Sequence, residues 1–309
     1  MLYNEILLYK TREEIPVAVK TQFEQFIAEE IETNRGRLVP VKASLMERIF
    51  VRKAHWNRLH PNPDDEFCFP SIGPNDEIIS NYEQMIMENR RTGSAVWKDP
   101  IIVEKVHPDG YMILNGHHRW GAAVRTNYSP LSISIVNLTH ETDVARMAAR
   151  SRHDKRVTLD LDELVFCSDA EDAEKPLPFP YRRWYRERIR RGVPALLHYL
   201  SKLDYDVWAY TSGYFSYEYL RGYFRHYSVR FDGIITGLGR RGKAHEEANK
   251  RMSKLLYNRY VQTLHIDRDM VLLTGKNVQN YEVYPVDGGD GEWVQAVMEI
   301  VDGLAQKEE

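Results

Sequence analysis

The sequence predicts an α/β protein, with a parallel sheet wrapped by helices over residues 155–309, a smaller α+β unit at 38–150 and a helical extension at 1–37. Three observations carry this expectation. The second half alternates short apolar strands with amphipathic helical stretches, the pattern of strands joined by crossover helices. The first half sets strand, turn, strand, short helix and closing strand in succession between residues 101 and 136. At 309 residues the chain also exceeds the roughly 100–200 residues served by one core, so two domains are expected.

The elements follow in order. Val17, Phe23, Phe26, Ile27 and Ile31 recur near helical spacing, which predicts an amphipathic helix over 15–35. A short strand is expected at Leu38–Val41. His60–Pro74 carries four prolines and consecutive acids and reads as a long ordered loop of functional type. Ile78–Asn89 is helical, followed by strands Ile101–Val106 and Tyr111–Leu114, helix Trp120–Arg125 and strand Ser132–Val136. Polar sequence at Arg146–Arg156 marks the expected boundary. Beyond it come strand Val157–Asp162, a helix-rich stretch to Leu203, strand Asp206–Tyr210, helix Tyr217–Phe224 and strand Phe231–Thr236. Helix Ala244–Tyr257, strand Thr263–Asp267 and helix Glu292–Leu304 complete the chain.

Composition narrows the function. Forty-two Lys and Arg against 45 Asp and Glu give a net charge of −3, which disfavours a globally basic nucleic-acid or membrane binder and leaves room for a local basic patch. Two cysteines, Cys68 and Cys167, cannot build a disulfide framework and suit a reducing compartment. No apolar run approaches the ~18 residues of a membrane span, and the N-terminus lacks a secretory signal pattern. A cytoplasmic protein without membrane partners is expected.

In Val157–Asp162, apolar Val157, Leu159 and Leu161 alternate with Thr158, Asp160 and Asp162. Period-two geometry brings the two carboxylates to the same side or end of an extended segment. Anions so close repel unless a cation joins them. The alternatives are a divalent-metal site with one Asp as nucleophile and the other as acid/base, or an edge strand with a solvated face. Thr211-Ser212-Gly213 at the next strand end can hold phosphate oxygens. Lys250 on a helix can neutralise a phosphoryl group, and Asp267 ends a third strand with another carboxylate.

This half resembles haloacid-dehalogenase-type (HAD) phosphatases, and within them the branch acting on the RNA polymerase C-terminal domain. The resemblance rests on Leu159-Asp160-Leu161-Asp162-Glu163, on Arg191-Gly192-Val193 with the following LLHYLSKLDYDVWAYTS, on Lys250–Leu255 and on Leu264–Asp267. Asn280–Pro285 and the last helix also fit. It implies a Rossmann-like domain in which Asp160 attacks phosphorus and Asp162 serves as acid and base. Mg²⁺ would be held among Asp160, Asp162 and Asp267, with Thr211 and Lys250 on the phosphate oxygens.

Two neighbouring features admit other readings. Gly237–Ala244 (GLGRRGKA) satisfies most of a P-loop pattern, but Ala244 stands where a Ser or Thr would meet Mg²⁺. Arg240, Arg241 and Lys243 remain as a basic lip for an anionic substrate. Arg182–Arg191 carries six Arg against one Glu. As a helix it would present Arg182, Arg186 and Arg190 on one face, either paired with nearby acids or tracking the phosphates of a nucleic acid.

In the first half, Asn115-Gly116-His117-His118-Arg119 lies between a strand and a helix. Gly116 lets the backbone turn. A helix N-terminus, two imidazoles and Arg119 favour an anion there, whereas adjacent histidines without a cysteine cluster make a poor zinc site. The segment 38–138 resembles the ParB/sulfiredoxin superfamily, closest to members with a DGHHR motif such as free serine kinases. That resemblance implies ATP or another nucleotide on Gly116, His117, His118 and Arg119. A kinase would need a base, for which Glu47, Asp65 and Glu66 are candidates.

The expected function is a Mg²⁺-dependent phosphohydrolase coupled to a nucleotide-binding, kinase-like unit. Its substrates would be small phosphate esters, nucleotides or nucleic-acid ends. The alternative is a non-catalytic nucleotide sensor that binds a phosphorylated ligand.

Overall fold

The computed structural model describes residues 21–93, 96–240, 242–275, 281–287 and 292–308. Residues 1–20, including Val17 of the expected first helix, Arg241 and Asn280 lie outside them. The protein is mixed α/β, with two sheets that each contain parallel strands.

The first sheet draws on β1 (Val39–Pro40), β2 (Lys53–Ala54), β3 (Leu59–His60), β4 (Ile101–His107), β5 (Tyr111–Asn115) and β6 (Leu131–Ile135). Its order is β2-β6-β4-β5-β3, with β1 on β4. The β3–β5 and β4–β6 pairs are parallel and the remainder antiparallel. Helices α1 (Gln22–Asn34), α2 (Leu45–Phe50), α3 (Asp76–Thr92) and α4 (His117–Thr126) accompany it. Thr21 opens α1 with a reciprocal cap to Glu24, satisfying two first-turn donors. Phe23 and Phe26 then pack on Trp120. The long loop is ordered as expected: a 3-10 turn at Glu66–Cys68 buries Phe67 against His117, His118 and Trp120.

The second sheet comprises β7 (Lys155–Asp160), β8 (Tyr205–Tyr210), β9 (Gly233–Ile235), β10 (Gln262–Ile266), β11 (Met270–Gly275) and β12 (Tyr281–Pro285), in the order β12-β11-β10-β7-β8-β9. The four strands from β10 to β9 are parallel, while β11 and β12 extend the sheet antiparallel. Alternation along β8 supplies both faces. Val207 and Ala209 join the core under α6 (Val193–Lys202), α7 (Tyr217–Arg225) and α9 (Trp293–Glu308). Trp208 points the other way, into a core shared with α5 (Glu141–Ala149) and α8 (Lys243–Arg259). Such two-sided burial explains why β8 is apolar apart from Asp206, whose buried carboxylate accepts from Tyr260 Oη at 3.0 Å.

One expectation changes. Residues 178–190 form no extended helix: one 3-10 turn at Tyr181–Arg183 precedes irregular chain, so Arg182, Arg186 and Arg190 share no helical face. Helix α5, assigned by sequence to the first unit, packs on α8 through Val144 and Ala148. Residues 136–140 link β6 to α5. Asn137 is buried there and binds the Ala43 backbone from one side and Ser216 and Glu218 from the other. Thr139 donates to Ile234 O at 2.9 Å.

No helix among the described residues is long and apolar enough to cross a membrane.

Candidate active site

The site is built at the carboxyl ends of the parallel strands. Strand β7 is buried until Asp160, where the backbone enters a single π-type turn, Leu161–Val165. Asp160 Oδ1 caps it, accepting from the N–H groups of Asp162 at 2.7 Å and Glu163 at 3.1 Å. Leu161, Leu164 and Val165 anchor the turn in the core. Between them Asp162 projects toward the end of β8.

There Thr211 is wholly buried. Its hydroxyl donates to Asp162 Oδ1 at 2.7 Å and accepts from Gly213 N–H at 3.0 Å. Ser212 donates through N–H and Oγ to Asp162 Oδ2, both at 2.6 Å. Thr211, expected on a phosphate, thus holds Asp162. Ser212 shares that task, legible in the sequence only as a second hydroxyl beside Thr211.

Ile266 of β10 stands opposite Leu159 of β7. The next residues, Asp267 and Asp160, therefore end neighbouring parallel strands, whose spacing is about 5 Å. Magnesium is commonly held by one or two carboxylates together with water and substrate phosphate. The hard oxygen donors of Asp160 and Asp267 fit that demand. Both oxygens of Asp162 accept hydrogen bonds from Thr211 and Ser212, and among the described residues no three His, Cys, Asp or Glu gather around one point.

Lys250 is exposed on α8 and forms no hydrogen bond or ion pair with Asp160, Asp162, Thr211 or Asp267 among the described residues. Helical geometry explains this. Met252 is buried against the sheet, and a residue two positions away lies about 200° around the axis. Cations near the carboxylates come instead from Arg190 and Arg268, which line a cavity of about 530 Å³ with Asp162, Glu163, Phe166 and Asp172. Arg190 Nε donates to Leu164 O, and Trp293 Nε1 donates to Arg268 O, fixing the backbone beside Asp267. Sequence reading named Arg190 only as part of a basic run and did not single out Arg268, which follows Asp267 in a turn.

The Asn115–Arg119 turn is used differently from expectation. Gly116, at φ 107°, opens α4 as the motif requires. Buried His117 accepts from Asn62 N–H through Nε2 at 3.1 Å, and its Nδ1 lies 3.4 Å from Asp65. This pairing fits a neutral ring protonated at Nδ1, and burial brings its pKa down to about 4. His118 accepts from Asn75 N–H at 3.2 Å, and burial lowers it also. Arg119 turns to the carbonyls of Asp99 and Pro100. In this structure the side chains of His117, His118 and Arg119 hold the surrounding loops through Asn62, Asn75, Asp99 and Pro100. Among the candidate bases, Glu47 is pulled down to about 2 by Lys105 and by its cap to Ser44. Asp65 caps the turn at Phe67.

The glycine-rich loop folds back on the Asp162 clamp. Gly237 N–H donates to Gly213 O at 3.0 Å and Leu238 N–H to Thr211 O at 3.1 Å. Arg240 lines a pocket of about 180 Å³ with Tyr214 and the acidic residues Asp64, Asp65 and Glu66 of the first unit. This is a junction between units, and the loop wraps the end of β8.

Comparison with protein-family models, curated proteins and solved structures gives no match.

Proposed function

We propose that the second unit is a Mg²⁺-dependent phosphohydrolase that releases phosphate from monoesters, with Asp160 as nucleophile and Asp162 as general acid and base. The supporting observation is the grouping at the strand ends: Asp160 beside Asp267, with Asp162 clamped next to them by Thr211 and Ser212. The free oxygen of Asp160 attacks phosphorus as the ester oxygen leaves, taking the proton of Asp162. Water then cleaves the aspartyl-phosphate, and Asp162 recovers a proton from it. Held by Asp160 and Asp267, Mg²⁺ would supply charge neutralisation at the phosphoryl oxygens. Arg190 and Arg268 add positive charge across the cavity mouth.

The first unit, in this proposal, binds ATP or another nucleotide at the N-terminus of α4, with its phosphates on backbone N–H groups. A cytoplasmic setting accords with two free, partly buried cysteines.

The test is phosphate release from an aryl phosphate with Mg²⁺. Turnover that disappears in Asp160→Asn and in EDTA is expected, and turnover retained by Asp160→Asn contradicts the proposal. A second reading, phosphate sensing without hydrolysis, is favoured by one observation: both oxygens of Asp162 are already engaged. Phosphate-ligand binding without release by the wild-type protein would select it.

A further inference from the structure

The chain that leaves the catalytic turn and returns at Arg190 carries a surface with no catalytic task. Phe179, Pro180, Tyr181, Arg182, Arg183 and Trp184 are all exposed, with Phe179 and Trp184 each 67% accessible. Six consecutive exposed residues of which three are aromatic and two are arginine make an unusual surface, because such aromatics normally contribute buried area. The guanidinium groups of Arg182, Arg183 and Arg186 pair with no carboxylate among the described residues. The one Glu in the run, Glu187, accepts from Tyr219 Oη. Arg188 and Arg191 donate to the backbone carbonyls of Ser168 and Glu171 in the adjacent acidic segment.

The surface is mechanically continuous with the catalytic cavity. Tyr181 lies against His226 at 4.2 Å between ring centroids, His226 against Tyr185 at 5.4 Å and Tyr185 against Tyr219 at 5.0 Å. Tyr219 then stacks on Phe215 at 6.1 Å, and Phe215 meets Phe166 at 6.0 Å. Phe166 lines the cavity beside Asp162. A rigid row of rings thus runs from the exposed platform to the wall of the site. The segment is further fixed by Tyr223 Oη donating to Glu187 O and by the bridge between Phe166 and Ile189.

We propose that this platform binds the single strand of a polynucleotide whose terminal phosphate enters the Asp160 site. The inference rests on the phosphohydrolase reading for the chemistry, and on the platform alone for binding. Two features choose this occupant. Unpaired arginines match a regularly charged backbone, and flat exposed rings offer base-stacking faces of the kind that single-strand binders use without sequence preference. A phosphopeptide would satisfy the arginines but leave Trp184 and Tyr181 unused.

The experiment separates the two claims. Binding of a twelve-residue oligothymidylate is followed by quenching of Trp fluorescence in EDTA, where no turnover occurs. Trp184→Ala is expected to weaken affinity about tenfold, and Arg182→Ala/Arg183→Ala to flatten the dependence of log affinity on log salt by about 1.4. These exposed positions leave the fold intact, which circular dichroism checks. In parallel, kcat/KM is measured with Mg²⁺ for the same oligonucleotide bearing a 3′- or 5′-phosphate, for a phosphoseryl peptide and for an aryl phosphate. The ratio of the preferred oligonucleotide to the aryl phosphate should exceed one and fall about tenfold in Trp184→Ala. Oligonucleotide affinity unaffected by all three substitutions, or the phosphopeptide as the better ligand and substrate, overturns the proposal. Unchanged binding results with no turnover of any ester would overturn the phosphohydrolase reading and leave the platform standing.

Discussion

Thr211→Val probes the clamp on Asp162. The substitution keeps shape and burial but removes the hydroxyl. One hydrogen bond to a carboxylate at 2.7 Å disappears, and Gly213 N–H loses its acceptor at 3.0 Å. A hydrogen bond to a charged group contributes ~1.5–3 kcal/mol, and a stranded buried donor costs ~1–3 kcal/mol. The two effects overlap at one side chain, and partial access of Gly213 to water trims the second. The expected loss of folding stability is therefore about 3 kcal/mol, read by urea titration at constant m-value. Phosphatase kcat should fall about a hundredfold, because Asp162 then keeps only Ser212 as its anchor. Thr211→Ser restores the hydroxyl and should recover most of kcat. A Thr211→Val protein within 0.5 kcal/mol of wild type and with unchanged kcat would refute the claim that this hydroxyl positions the acid/base.

Other outcomes follow from the same geometry. Lys250→Ala should leave kcat within about twofold, since α8 turns that residue to solvent; a loss approaching a thousandfold in the aryl phosphate assay would contradict the placement. Asp267→Asn should raise the Mg²⁺ concentration for half-maximal turnover by at least tenfold, with little change at saturating metal; an unaltered metal titration would remove Asp267 from the site. Burial holds His117 and His265 neutral, each down to about 4 against an ordinary 6.5. Between those values the unfolded chain binds protons that the folded one refuses, so stability should fall as pH drops from 6.5 toward 4, by at most about 2 kcal/mol per histidine at pH 5. Urea titrations at pH 7.5 and 5.0 that agree would contradict this. Gly233→Ala would set a Cβ 2.2 Å from the buried Trp208 ring and should cost about 3 kcal/mol, seen as a lowered thermal midpoint.

The architecture was legible where burial imposes a simple period. Strand β7 and strand β8 announced themselves because both their faces are covered, and α3 and α8 through helical spacing, α3 with an Asn75 cap and a closing Gly93. Strand β12 was not: Tyr281–Val283 is exposed, so no core demanded an apolar repeat there. The Arg182–Arg191 segment failed in the opposite way, since spaced arginines imitate a helix face where the chain forms only one 3-10 turn and an irregular stretch. At the site, alternation around Asp160 and Asp162 located the carboxylates but not their division of labour. That depends on the π-type turn, which sends Asp162 to Thr211 while Asp160 stays beside Asp267. The two histidines of the first unit show the limit of motif reading most clearly, because only their loop partners at Asn62 and Asn75 reveal that their rings are occupied.

The central claim is that Asp160 forms a covalent bond to phosphorus. Acid quenching of the protein during turnover of an aryl phosphate with Mg²⁺, followed by peptide mass analysis, tests it directly. A hydroxylamine-labile phosphoryl group on Asp160, absent from Asp160→Asn and accumulating in Asp162→Asn, is the predicted result. Sustained phosphate release with no label on Asp160, or label on another residue, would contradict the account.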